Sequence, residues 1–289
     1  MSVSSLSPRP VVGLLPGAGH GSRIQPIPGS KEVLPVGMQS VDGGEGKRVR
    51  VISQYLLEAY RRAGVDRAYW ILREGKWDIP AYWQDGAEVG VDLGYLMARE
   101  WARGPAFTID QAYPFVQDQI VVVGFPDLVF TPADAFDVLV QELISTDSEV
   151  MLGVFPSASP EKVDMVDVGD DGRVRAIDIK NPHSTCTLAW IIAAWQPSFT
   201  EWLHQFIGTI LTAEAHPRAE REHEAPQEWH LGNALQAALA DGRDIRGTIF
   251  PNGAFLDIGT PAALEHAMQS LAVEGDIDLR ALIDNRSLS

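Results

Sequence analysis

VVGLLPGAGHGSRIQPIPGSKEVLPVG, residues 11–37, decides how the rest of the chain is read. Residues 11–15 are apolar and have the character of a strand. They run into the loop Gly17-Ala18-Gly19-His20-Gly21-Ser22-Arg23, and Lys31 stands just before a second apolar run, Val33-Leu34-Pro35-Val36. Glycine lets a backbone turn sharply and approach a ligand closely. Successive N–H groups in such a turn form a concave anion site. With Arg23 and Lys31 adding positive charge, the stretch reads as a cradle for a polyphosphate. The alternative is a plain strand-to-helix turn, since a few glycines are a weak signal.

Two common phosphate loops are excluded. A dinucleotide fingerprint needs G-x-G-x-x-G opening into a helix, but here Gly17, Gly19 and Gly21 alternate and Pro26 and Pro28 follow, which no helix interior tolerates. A Walker A loop needs Gly-Lys-Ser/Thr, and Gly29-Ser30-Lys31 has the wrong order. Backbone and cations must hold the phosphates without a following helix.

In order, spacing and residue type this stretch resembles the signature of the sugar-1-phosphate nucleotidyltransferases, G-G-x-G-T-R-L-x-P followed by P-K-x-L-L-P. Ala18 replaces a glycine, Ser22 a threonine and Ser30 a proline, and the spacer is shorter. The resemblance, which spans about residues 11–272, implies a Rossmann-like nucleotidyltransferase fold of α/β class, with a mixed, mostly parallel central sheet flanked by helices. It implies nucleotide binding by Gly17, Ala18, Gly19, Gly21 and Ser22. Arg23 would hold the β- and γ-phosphates and Lys31 would reach toward the α-phosphate and leaving group, as the catalytic pair.

Composition agrees with a globular domain. The 289 residues carry a formal net charge of −16. Such acidity disfavours nucleic acid, whose binding is led by phosphate neutralisation, and anionic membranes. A small phosphorylated ligand binds only where cations or a metal reverse the field locally. No run of about twenty apolar residues predicts a membrane span. Residues 1–10 are Ser/Pro-rich and are expected to be a loose tail without the apolar core of a secretion signal, leaving residues 11–289 as one domain. Cys186 is the single cysteine, so no internal disulfide or cysteine zinc site is expected, and a cytoplasmic location is the default.

Strand and helix patterns alternate, which favours a largely parallel sheet with helices on both faces. Expected strands cover residues 67–72, 93–97, 119–125, 150–155, 174–180, 187–194, 248–250 and 254–256. Expected helices cover 47–63, 76–84, 108–115 with Thr108 as cap, 131–144 starting at Thr131-Pro132, 197–212, 231–240, a stretch from Thr260-Pro261 to about Ala272, and 278–283. Residues 38–46 and 214–228 are read as surface loops.

Asp127 follows QIVVVGF, residues 119–125, the most apolar strand and hence the expected centre of the sheet. In open α/β sheets ligands bind at that edge, though aspartate is also common in ordinary turns. The resemblance makes Asp127 a metal ligand. It does the same for Asp257 in FLDIGTPAALEHA, which resembles W-x-D-x-G-T-P-x-x-L-x-x-A. Two carboxylates with substrate phosphates and water suit Mg²⁺. Lys180, in AIDIKNP, matches the lysine of an E-K-P motif and is implied to bind the sugar phosphate; a solvated strand-end lysine is the plainer alternative. The matching glutamate position holds Ile179, and Lys162-Val163-Asp164-Met165 stands near a missing Tyr-Gly. These departures point to a different sugar, or a sugar-like cyclitol phosphate, in place of glucose 1-phosphate. Gly104 is implied to pack near the base, although no glutamine precedes it. His216, His223 and His230 are regularly spaced in a polar segment and are not read as a zinc site.

The implied reaction is NTP plus sugar 1-phosphate giving NDP-sugar and pyrophosphate, with Mg²⁺, in a homo-oligomer (dimer or tetramer). The competing readings are a binding or regulatory homologue without turnover, and a glycosyltransferase of related fold. Asp127-Leu128-Val129 lacks the Asp-x-Asp motif of the latter.

Overall fold

The apolar run after Gln119 lies at the middle of the sheet because it is buried on both faces: Ile120, Val121, Val122 and Val123 are each at most 3% exposed. Side chains of a strand alternate between faces. Val121 and Val123 accordingly join one core cluster, and Ile120 and Val122 join the other.

The computed structural model describes residues 10–40, 46–215 and 228–270. In chain order the elements are β1 (Val11–Gly17), β2 (Pro35–Ser40), β3 (Lys47–Val51), α1 (Ile52–Arg62), β4 (Arg67–Leu72), α2 (Asp78–Trp83), β5 (Asp92–Met97), α3 (Pro105–Asp110), α4 (Tyr113–Val116), β6 (Ile120–Val123), β7 (Leu128–Thr131), α5 (Ala135–Thr146), β8 (Val150–Pro156), β9 (Met165–Val168), β10 (Val174–Asp178), β11 (Leu188–Trp195), α6 (Pro197–Ala215), α7 (Leu231–Ala240), β12 (Ile245–Ile249), β13 (Ala254–Asp257) and α8 (Pro261–Ser270).

The main sheet has nine strands, ordered β10-β9-β11-β6-β1-β4-β5, with β8 paired to β11 and β12. From β6 through β1 and β4 to β5 all pairs are parallel, as is β8 with β12. Strand β11 runs antiparallel to β6, β8 and β9. This is the expected mixed α/β sheet with helices on both faces. Phe107, Phe199, Leu203 and Leu235 from α3, α6 and α7 cover one face, and Leu56, Tyr60 and Leu139 from α1 and α5 cover the other.

Tyr60 fixes the spacing of the two strands that carry the site. Its hydroxyl donates to the Leu14 carbonyl at 2.7 Å and accepts from the Gly124 N–H at 2.8 Å. Its ring fills the place where a Cβ on residue 13 would stand, 2.6 Å away, so only glycine fits there. Burial pushes the Tyr60 phenol far above its ordinary value.

Several sequence expectations are corrected. Residues 47–51 are strand, not helix: Lys-Arg-Val-Arg-Val alternates with period two and pairs antiparallel with β2, which also takes Met38, Gln39 and Ser40 out of the expected loop. Thr131 does not cap a helix, because residues 128–131 pair with residues 254–257 and keep the chain extended; α5 starts at Ala135. Thr108 is not a cap either. The helix begins at Pro105, whose missing N–H is harmless at a first position, and Thr108 Oγ1 donates back to the Gly104 carbonyl at 3.0 Å. Strand β9 is an addition to the expected set. The tail 1–9, the centre of the 38–46 loop, most of the 214–228 segment with His216 and His223, and the helix at 278–283 lie outside the described residues. Among the described residues no helix is long and apolar enough to cross a membrane.

Candidate active site

The glycine loop leaves β1 at Gly17, whose requirement for glycine is partly one of packing: a Cβ there would lie 2.5 Å from Trp70 Nε1. Ala18 is half-buried, and Gly19 and Ser22 are exposed. Open space surrounds Gly19, and Gly21 has φ +62°, a value that favours glycine. The loop is pinned below by Ile24, which is buried among Leu34, Val36, Ile52, Val129, Leu256 and Ile258. It is pinned at its far end by Asp78, which accepts from Ser30 N at 2.6 Å and from Ser30 Oγ at 2.7 Å.

These anchors deliver Lys31 to Asp127, and the two side chains form an ion pair. Burial opposes the Lys31 charge, but Asp127 outweighs it and holds the ammonium above its ordinary value. Asp127 reaches this point because β6 ends there and the chain turns into β7. The small sheet of β7 and β13 then sets Leu128 opposite Asp257. Ile258 N donates to the Asp127 carbonyl at 3.0 Å, which locks the two carboxylate-bearing segments side by side.

Burial, and then the charge of Asp127, push the Asp257 carboxyl above its ordinary value, against the opposing charges of Lys31, Arg23 and Lys180. Arg23 comes close because residue 259 is glycine: a Cβ there would lie 2.9 Å from Asp257 Oδ1 and 3.0 Å from Arg23 Nη2. Thr260 Oγ1 accepts from Ala263 N at 3.2 Å, as expected of a cap, and fixes the start of α8 beside the site.

Lys180 follows β10 with φ +43° and lines a cavity of about 170 Å³ together with Asp127, Asp257, Asp164, His230 and Trp190. The structure therefore brings Arg23, Lys31, Asp127, Asp257 and Lys180 together. Gly104 has φ +95° and starts α3, a Cβ there would lie 2.5 Å from the Trp229 carbonyl, and its neighbour Pro105 lines the same cavity. Ile179 packs against the core. Asp178 accepts from Ser184 Oγ at 2.5 Å.

Sequence reading missed four side chains around this centre. Lys76 and Glu32 form an ion pair at 2.5 Å, with side chains 5% and 2% exposed. Burial pushes Lys76 below its ordinary value. Asp164 and His230 line the cavity behind Lys180. Lys76 and Glu32 are separated by 44 residues and show no shared pattern. His230, just before a helical run, carried the signal of a capping position.

Burial and the Lys180 charge push the His230 imidazole below its ordinary 6.5. The unfolded chain then binds this proton first on acidification, so the fold loses stability as pH falls from 6.5 toward the folded value. His230→Asn keeps a capping residue at the start of α7 and is expected to give a flatter Tm profile between about pH 7 and 5. An unchanged slope would assign the acid loss to other groups.

Among the described residues no group of three or more His, Cys, Asp or Glu side chains is disposed around a metal. The chemistry of Asp127 and Asp257, two neighbouring hard-oxygen groups of which one is held unfavourably by the other's charge, is of the kind that suits a magnesium ion.

The fold is that of the sugar-phosphate nucleotidyltransferases. A Bacillus anthracis protein assigned as a glucose-1-phosphate thymidylyltransferase, in complex with sucrose, superposes with a TM-score of 0.72 at 18% identity, covering 92% of this chain and 97% of that one. A UDP-glucose pyrophosphorylase complexed with UDP-glucose gives 0.68 at 17% identity, covering 90% and 97%. The inositol-1-phosphate CTP transferase from T. maritima gives 0.60 at 18%, covering 91% and 98%. No protein-family model and no curated protein matches this chain.

Proposed function

We propose that the protein transfers a nucleotidyl group from a nucleoside triphosphate to a sugar 1-phosphate, or to a sugar-like cyclitol phosphate, releasing pyrophosphate. One observation carries this reading: Arg23, Lys31, Asp127, Lys180 and Asp257, from separate segments, meet at one edge of the sheet within a chain of net charge −16. Concentrating three cations there has a use if phosphates occupy the site. The names of the structural neighbours, which include both glucose 1-phosphate and inositol 1-phosphate enzymes, are compatible with either acceptor.

The chemistry needs no protein nucleophile. A phosphomonoester is largely dianionic at neutral pH, and its oxygen attacks the α-phosphorus. The new P–O bond forms as the α–β bridging P–O bond breaks, and pyrophosphate leaves with that electron pair. The work of the chain is alignment and charge compensation. Lys180 holds the acceptor phosphate, Lys31 lies toward the α-phosphate and leaving group, and Arg23 holds the outer phosphates. The loop N–H groups around Gly19 and Gly21 add neutral donors. Asp127 and Asp257 would hold Mg²⁺, which when bound supplies Lewis-acid compensation of the phosphate charge.

The test is pyrophosphate release from a panel of nucleoside triphosphates and sugar or cyclitol phosphates. Mg²⁺-dependent release with at least one pair is expected. Nucleotide binding without turnover across the panel would make this a binding module.

A further inference from the structure

Resting on that reading, we propose that Asp164 is the specificity-determining residue of the acceptor pocket, and that it selects a phosphomonoester whose ring carries free hydroxyls. Asp164 is 8% exposed and its Oδ1 has no hydrogen-bond partner among the described residues. It lines the same cavity as Lys180, Asp127 and Asp257. Its other oxygen is packed against the first turn of α7, where a Cβ on Gly232 would lie 2.2 Å from Oδ2 and 3.5 Å from Ile179 Cγ1. The carboxylate is thereby fixed in place with one oxygen unsatisfied.

Natural proteins rarely leave such an atom unpaired without a reason. Burial pushes the Asp164 carboxyl up, while His230 and Lys180 act in the opposite sense and favour the ionised acceptor. The Lys180 backbone N–H and the nearby Trp190 Nε1–H act in the same sense, although Trp190 Nε1 has no partner in strict hydrogen-bonding geometry among the described residues. Asp164 and Trp190 thus form a buried polar patch among the residues that line the cavity. The cavity is also lined by the apolar Phe125, Ile191 and Leu231. A polyol ring matches this mixed lining, with hydroxyls at its edge for Asp164 and Trp190 and C–H bonds on its face for the apolar residues. Of the two residues before Lys180, Ile179 is apolar and Asp178 is engaged by Ser184.

The test is a binding measurement that needs no turnover. Glucose 1-phosphate, inositol 1-phosphate and cyclohexyl phosphate, which lacks ring hydroxyls, are titrated calorimetrically into the wild-type protein and into Asp164→Ala and Asp164→Asn. The wild type is expected to bind at least one polyol phosphate about 10- to 100-fold more tightly than cyclohexyl phosphate, the factor that one hydrogen bond to a charged group commands. Asp164→Ala should abolish that preference by weakening the polyol phosphate alone. Asp164→Asn, which keeps an acceptor oxygen without the charge, should fall between. No hydroxyl preference in the wild type, or equal weakening of all three ligands in either variant, overturns the proposal. Should the alanine variant fail to fold, the wild-type preference and the asparagine variant decide. An intact preference without pyrophosphate release would sink the transfer reading and leave this assignment standing; turnover without a preference would do the reverse.

Discussion

Asp127→Ala and Asp257→Ala should each lower Mg²⁺-dependent pyrophosphate release by about 1,000-fold, because a bound cation contributes several kcal/mol of charge stabilisation and each decade of rate is about 1.4 kcal/mol. The two variants should differ in the absence of metal. Asp257 is buried beside a like charge that pushes its carboxyl up, so its removal relieves the native state and Tm should hold or rise. Asp127 is the ion-pair partner of Lys31, so its removal strands a partly buried ammonium and Tm should fall. Activity assays with a thermal melt on each protein check both halves. Near-normal rates in either variant would remove the metal assignment.

The second large effect concerns stability. Lys76→Met alone, or Glu32→Gln alone, is expected to cost about 3–5 kcal/mol, because each leaves a buried group without its partner. Both side chains are almost wholly inaccessible, at 5% and 2% exposure, so solvent screening offers little relief. The double substitution Glu32→Gln, Lys76→Met should be markedly less damaging than the sum of the two. Urea unfolding of the four proteins measures this directly, and simple additivity would show that the pair is not coupled. Activity should follow, since Glu32 adjoins Lys31 and the pair ties the glycine loop to the turn after β4.

What could be read in advance depended on how local the determinants are. The β1 strand, its loop and Lys31 lie in one continuous stretch, and Asp127 is announced by a run of valines that only a central strand explains. Asp257 sits before Thr260-Pro261, a start signal that needs no tertiary help. The hairpin of β2 and β3 was hidden because the short period-two run KRVRV borders a strong helical pattern, and pairing with residues 35–40 decides for strand. Thr131-Pro132 has the chemistry of a helix start, yet a partner strand more than a hundred residues away in sequence claims Thr131 first. Asp164 and His230 were invisible as neighbours for the same reason. Nothing near Asp164 signals that the first turn of α7 will close over it.

The small sheet of β7 and β13 also bears on timing. Asp127 belongs to the first half of the polypeptide and Asp257 to a much later stretch, and they become neighbours only when residues 254–257 dock onto residues 128–131. During synthesis the glycine loop and the central strands emerge well before that closure. A ribosome-bound chain at that stage would carry the glycine loop and Asp127 without Asp257. A chain cut short before residue 254 would lack Asp257 and leave residues 128–131 without their partner strand.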